Sequence, residues 1–375
     1  MLENSFKFLL LNYWRSIDKK ILLSFFILFF LGLFFSFSST SSLAGERLNK
    51  DYYFFFTKHL TYTLIAILIM LFISFVKTEI VIKLVFPLFL VSFFLLSMVP
   101  ISGIEIKGSK RWIDLYFFRL QPIEILKPLF ILMTVKILTI EKLKNTQIKY
   151  LLSFILLCSV IILLIDQPDL GQSILLTGSW VATVFISGVS LIYILIFFSV
   201  FLMFLSSLLF FLPEKFGYII NRLVVFLDPN QGDIFQSSSA LDAIKLGGLT
   251  GRGMGEGILK ESVPEAHTDY VIAVISEEYG SLVSISILVV FLYIAFRIIK
   301  NCFKQENQFL RISLSGLASL LIFQTFIHAG VNTLLLPTTG MTLPFLSYGG
   351  SSLIGSAILA GLVLNYTKNK AYLYD

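Results

Sequence analysis

Four carboxylates and one of the chain's three histidines crowd the stretch VPEAHTDYVIAVISEEYG, Val263 to Gly280, in a sequence that is 57% hydrophobic and only 14% charged. A carboxylate at the mouth of an apolar helix has two uses. It caps the first turn, where unpaired N–H groups and the helix dipole favour negative charge, or it takes a proton from a hydroxyl at a water-poor rim. Both readings apply to Asp269. Drawn as a helix from Thr268, the stretch gathers Asp269, Ala273, Ser276, Glu277, Gly280 and Ser284 on one polar, small-residued face, with Val271, Ile275, Leu282 and Ile285 elsewhere. A charge at the centre of a spanning helix costs roughly 2.5–3.5 kcal/mol on insertion scales. That face is therefore expected to border a cavity opening outward, with Asp269 at the membrane edge and Glu277 deeper. Glu278 points away from it and reads as structural. His267 reads first as a hydrogen-bonded structural residue, since histidines at 59, 267 and 328 offer no zinc-ligand spacing.

Basic residues cluster at other helix junctions. GSKRWIDLYFFR brings Lys110, Arg111 and Arg119 together with Trp112, Tyr116 and Phe117, an interfacial belt able to hold an anionic headgroup. SSSALDAIKLGGLTGRGMGEGILK has the wrong glycine spacing, and no strand before it, for a dinucleotide loop. Its glycines are expected to let backbone turn sharply and approach a ligand, with Arg252 and Lys260 beside it. Glu124 and Lys127, three residues apart, can compensate each other on one helix face, with Pro122 suited to the helix start and Pro128 to a kink. Asp169 lies in DQPDLGQS at another outward junction. In LLPTTGMTLPFLSYGGSS, Pro337, Pro344, Gly349 and Gly350 interrupt helix where irregular backbone must be buried or line a cavity.

These residues need a frame, and the composition supplies one. Soluble domains carry roughly 25% charged residues, so an all-α, polytopic integral membrane protein is expected. Apolar segments near 21–43, 60–76, 80–99, 121–140, 149–165, 170–190, 191–212, 270–298, 310–333 and 344–366 are each long enough to cross the hydrocarbon. They predict about ten helices in a single membrane domain over 1–375, with an inner arm at 1–20 and a tail at 367–375. A long outward-facing loop, 213–268, separates the seventh and eighth spans. The basic lead-in and apolar body of the first span read as a retained helix, its apolar run being too long for a signal peptide. Cys158 and Cys302 form neither a disulfide framework nor a metal motif. Lysine and arginine in the short loops place both termini inside. The net charge of +6 is spread over both faces, giving no case for nucleic-acid binding.

Taken in order, QPIEILK, QPDLG, GDIFQSSSALDAIKLGGLTGRGMGEG, PEAHTDYVIAVISEEYG and GVNTLLLPTTGMTLPFLSYGGSS resemble the SEDS family of peptidoglycan glycosyltransferases. Ala266 and the run Gly340 to Pro344 look like its division-type rather than its elongation-type members. Ile123 departs from the family's usual serine in Q-P-S-E, which removes a hydroxyl and leaves Glu124 and Lys127 intact.

The resemblance implies ten helices in a bacterial cytoplasmic membrane, both termini cytoplasmic, and polymerisation of lipid II into β-1,4 glycan at the outer face. Asp269 matches the family's essential aspartate, and is expected to be the general base. Lys110, Arg111, Arg119, Arg252, Lys260, His267 and Thr268 form the expected substrate-binding set, the cations facing the pyrophosphate. Glu124, Lys127, Asp169, Glu277, Ser347, Gly349 and Gly350 are expected to build the cavity. No organic cofactor and no dedicated metal cage are implied, although Mg or Mn could assist at the phosphates. A class B penicillin-binding transpeptidase and other division proteins are the implied partners. A lipid II transporter and a non-catalytic division scaffold are the competing readings.

Overall fold

Glu124 and Lys127 sit in the middle of the molecule, each 3% exposed, and the helices are arranged around them. The computed structural model describes residues 11–40, 53–106, 109–116, 118–211, 213–228, 235–258 and 266–369. Its elements, in chain order, begin with α1 (Lys19–Phe35), running on into a π-helical turn (Ser36–Thr40), then α2 (Phe54–Phe75) and α3 (Thr78–Ser102). A small antiparallel sheet follows, with β2 (Ser109–Asp114) between β1 (Ile104–Ile106) and β3 (Arg119–Leu120). Next come α4 (Pro122–Leu138), α5 (Thr146–Asp166), α6 (Leu170–Ile186) and α7 (Leu191–Phe211). The remainder is α8 (Pro213–Leu227), α9 (Phe235–Gly247), α10 (Val271–Tyr279), α11 (Ser281–Cys302), α12 (Gln308–Asn332) and α13 (Gly350–Tyr366).

Each expected span contains helix among the described residues, although 344–349 of the last is irregular. Six of these helices, α1, α2, α3, α5, α11 and α12, are long and apolar enough to cross a membrane. α6, α7 and α13 are apolar as well, and α4 runs through the centre, buried along nearly its whole length. It packs against α3, α5, α6, α12 and α13. Close approach depends on small residues, because lipid gives helices little hydrophobic reason to associate. A β-carbon on Gly355 of α13 would fall 2.4 Å from the Glu124 carbonyl oxygen, so the α13 backbone rests directly on α4.

Two charges at the centre of such a bundle must neutralise each other and fill their remaining hydrogen-bonding capacity. Lys127 Nζ lies 2.8 Å from Glu124 Oε2 and donates to Gln324 Oε1 at 3.1 Å. Gln172 Nε2 donates to Glu124 Oε1 at 2.9 Å, and Gln324 Nε2 donates to the Thr342 carbonyl at 3.1 Å. One polar chain thus ties α4, α6 and α12 to the irregular segment before α13.

The structure refines the expected frame in three places. The eighth span is not one helix: Gly280, at φ 86°, breaks it into α10 and α11. The long segment 213–268 holds α8, α9 and a glycine turn. Glu277 is drawn to that segment. It is fully buried, and its Oε1 accepts from the Ile258 N–H at 2.7 Å.

One packing contact joins the glycine turn to the break at Gly280. Gly251, at φ 81°, and Gly280 lie backbone against backbone, each so close that a β-carbon on either would sit 2.6 Å from the other's nitrogen. The N–H groups of Arg252 and Gly253 donate to the Glu277 and Glu278 carbonyls at 3.0 Å, and those of Ser281 and Leu282 to the Gly248 and Leu249 carbonyls. Gly247 and Gly251 of the glycine run therefore serve close backbone packing. Buried N–H and C=O groups require such partners.

Gly280→Ala would place its β-carbon 2.1 Å from the Leu249 carbonyl oxygen. The turn should come loose, and trypsin should cut after the exposed Arg252 faster than in wild type; an unchanged cleavage rate would contradict the clamp. Glu124→Ala leaves Lys127 with only an amide partner in the bilayer. It should lower stability by about 3–5 kcal/mol, read as a fallen thermal midpoint in detergent, while Glu124→Gln with Lys127→Met should lose less. A wild-type midpoint for Glu124→Ala would show that the pair is not needed.

Candidate active site

Asp269 lies in the turn formed by residues 266–270, directly ahead of α10. The turn is anchored by its backbone. Asn332, fully buried at the end of α12, donates through Nδ2 to the Asp269 carbonyl at 3.1 Å, and its Oδ1 accepts from the Ala273 N–H at 3.1 Å. From the opposite side Ser347 Oγ donates to the Thr268 carbonyl at 2.6 Å, and the Tyr348 N–H donates to the His267 carbonyl at 2.9 Å. The His267 ring packs beside Phe55 and Tyr348, with centroids 5.4 and 5.7 Å away.

Arg111 arrives from a distant part of the chain. Successive strand residues face opposite ways, so β2 leaves Lys110 exposed and turns Arg111 inward to 7% exposure. Its Nε donates to the Gln167 carbonyl at 3.2 Å and lies 3.7 Å from Asp169 Oδ2, and Nη2 donates to the Pro168 carbonyl. The guanidinium is thereby fastened to the connection between α5 and α6. A β-carbon on Gly340 would lie 3.5 Å from Asp269 Oδ2 and 3.6 Å from Arg111 Nη1. Carboxylate and guanidinium flank one small space, left open because residue 340 is glycine at φ 69°.

A second guanidinium reaches the same segment. Arg222 of α8 donates through Nη1 to the Thr338 carbonyl at 3.3 Å, and its Cζ lies 5.9 Å from the Tyr218 ring centroid. Burial and the Arg111 charge hold Arg222 below the usual guanidinium range. Burial and the Asp269 charge push the Tyr270 hydroxyl up. Asp169 is also raised by burial, although Arg111 opposes the rise. These shifts mark a partly dry cluster of mixed charge at the helix ends.

Below it lies an apolar cavity of about 600 Å³ between α5, α6, α7 and α12, with Ile165, Leu170 and Ser173 at the cluster's end and Phe185 at the other.

The expected residues thus divide. Asp269, Arg111, Asp169, Thr268, His267 and Ser347 meet at this cluster. Glu124 and Lys127 connect to it through Gln172, whose N–H donates to Asp169 Oδ1 at 3.3 Å. Gly350 packs against the Tyr62 ring, and Gly349 precedes it in extended backbone at φ 172°. Lys110 and Arg119 are exposed on the outer face of the sheet. Arg252 and Glu277 stand at the far end of α10, roughly 12 Å along the helix from Asp269. Lys260 lies outside the described residues. Sequence reasoning missed Asn332 and Arg222. The first was visible only as a polar side chain ending a long apolar helix, the second as an arginine four residues after Tyr218 in an amphipathic run.

The profile of the FtsW/RodA/SpoVE cell cycle protein family matches residues 19–372. A probable peptidoglycan glycosyltransferase FtsW of Caulobacter vibrioides is 33% identical over 367 residues, covering 96% of this chain and 92% of the relative. A protein of the same name from Wigglesworthia glossinidia brevipalpis is 34% identical over 381 residues, covering 95% and 98%. Among solved structures, a chain described under structural coordination of polymerization and crosslinking by a peptidoglycan synthase complex matches with a TM-score of 0.78 and 24% identity, covering 96% of this chain and 99% of that one. The rod shape determining protein RodA of Thermus thermophilus matches with a TM-score of 0.68 and 25% identity, covering 94% and 97%. With its multi-span helical fold and a matched profile spanning nearly its full length, the chain belongs to the FtsW/RodA/SpoVE family of cell cycle proteins.

Proposed function

We propose that the chain is a peptidoglycan glycosyltransferase that polymerises lipid II into β-1,4 glycan strands during cell division. It works at the outer face of the bacterial cytoplasmic membrane, with both termini in the cytoplasm. The observation that carries this reading is the meeting of Asp269 and Arg111 across Gly340: a carboxylate beside a fixed cation, at helix ends, above an apolar cavity. Relatives that bear the name of this activity align over almost the whole chain.

Asp269 takes the proton of the acceptor sugar's 4-hydroxyl as that oxygen attacks the anomeric carbon of the donor. The bond from that carbon to the pyrophosphate breaks, and its electron pair stays on the departing oxygen. Arg111 is oriented before the reaction by two carbonyls and Asp169, so it opposes the developing charge without reorganising. One direct displacement converts an α linkage to β, and a single carboxylate suffices. Lys110 and Arg119, on the exposed face of the sheet, draw anionic lipid towards the rim. Among the described residues no three His, Cys, Asp or Glu side chains converge. A Mg or Mn ion carried by the substrate's phosphates would add positive charge at the leaving group.

Glu124 and Lys127 are sealed in their network, which favours an enzyme over a transporter of the same lipid. A class B penicillin-binding transpeptidase and other division proteins are the partners proposed. In support, one chain of matching fold comes from a peptidoglycan synthase complex that couples polymerization to crosslinking.

Purified protein given labelled lipid II, with its transpeptidase if required, should make glycan chains. Asp269→Asn keeps the side chain's size and should lower the rate at least about 100-fold, with an unchanged thermal midpoint. A fully active Asp269→Asn protein would reduce Asp269 to a helix cap. If wild type instead moves lipid II across vesicles and forms no polymer, the transporter reading replaces this one.

A further inference from the structure

Arg222 has no place in the reaction as described so far, yet its position is unusual for a structural arginine. α8 delivers it, half-buried, to the Thr338–Gly340 segment that Arg111 and Asp269 also border. Its hydrogen bond there goes to a neutral carbonyl, and among the described residues no carboxylate lies within 4 Å of its guanidinium. A guanidinium has five N–H donors in a planar fork. Arg111, by contrast, turns most of its fork to the Gln167 and Pro168 carbonyls and Asp169, leaving Nη1 towards Gly340.

Two partly buried cations that sense each other repel, and holding them on one short segment costs stability unless something negative arrives. Asp169 attracts both cations, but it is already engaged by Arg111 and by the Gln172 N–H. The unmet demand is for an anion with several oxygens. Planar forks suit phosphate oxygens, which they bind in bidentate fashion.

We infer that Arg222 and Arg111 together form a binding site for the pyrophosphate of a lipid-linked sugar, with Arg222 supplying the fork that Arg111 no longer has to offer. The inference rests on the transferase reading and deepens it, since it assigns the leaving group to a defined pair. It also gives α8 a task. An amphipathic helix in the interface, joined to the bundle mainly through α7, brings the second cation to the point where the first is already fixed. Tyr218 steadies the arrangement by stacking near Arg222 while its hydroxyl donates to the Ile165 carbonyl at 3.2 Å, at the rim of the apolar cavity.

The test uses the whole purified protein, with undecaprenyl pyrophosphate and undecaprenyl phosphate as probes. Wild type should bind the pyrophosphate more tightly than the monophosphate. Arg222→Gln should weaken pyrophosphate binding roughly 10- to 100-fold, the range for losing charge-assisted hydrogen bonds, and raise the KM for lipid II by a similar factor. Arg222→Lys, which keeps the charge without the planar fork, should fall between. Should Arg222→Gln lose its thermal midpoint, Arg222→Lys carries the comparison. Wild-type affinity for undecaprenyl pyrophosphate in a folded Arg222 variant would overturn the inference. If binding depends on Arg222 while wild type forms no polymer, the site stands and the transferase reading falls.

Discussion

The proposed chemistry depends on a turn held by its own backbone. Asn332 and Ser347 donate to the carbonyls of Asp269 and Thr268 from two different segments, and Tyr348 closes the same turn through the His267 carbonyl. None of these bonds uses the Asp269 carboxylate. They fix its backbone, and so hold the carboxylate beside Gly340, where the general base is proposed. Asn332 also receives the Ala273 N–H and donates to the His328 carbonyl. One buried amide thus sets the start of α10 and the position of the acid together.

That turn can be rigid because the segments that hold it are themselves tied to the bundle core. Gln324 reaches the Thr342 carbonyl on one side and Lys127 on the other, and His328 Nδ1 lies 2.8 Å from the Met341 carbonyl oxygen. The irregular stretch ahead of α13 would be costly in lipid if its polar backbone were unpaired. Here α12 satisfies it. The same chain of contacts continues through Glu124 and Gln172 to Asp169 and Arg111. The central ion pair and the Asp269–Arg111 cluster are thus joined by one chain of contacts.

How much of this the sequence disclosed follows from the range of each signal. Long apolar runs declared the spans, because hydrocarbon thickness sets a minimum length. Glu124 and Lys127 were legible as a pair because both lie on one helix within a turn. The break at Gly280 was not, since the apolar pattern continues through it and its cause, Gly251, lies in another segment. The glycine run was read as a ligand loop for the same reason: spacing shows that backbone can come close, not what it comes close to. Arg111 and Lys110 were indistinguishable as neighbours in a basic cluster until a six-residue strand sent them to opposite faces. Arg222 and Asn332 act through residues more than fifty positions away, and no local pattern reports such contacts.

The claim most exposed to experiment is that main-chain anchoring of the Asp269 turn sets the rate. Turnover of lipid II by Asn332→Ala, measured beside its thermal midpoint and its binding of the lipid, tests that claim directly. The account predicts a loss of about 100-fold in kcat, as expected when a catalytic group is misplaced by about an ångström, with lipid binding and overall fold retained. Wild-type kcat in a folded Asn332→Ala protein would contradict it.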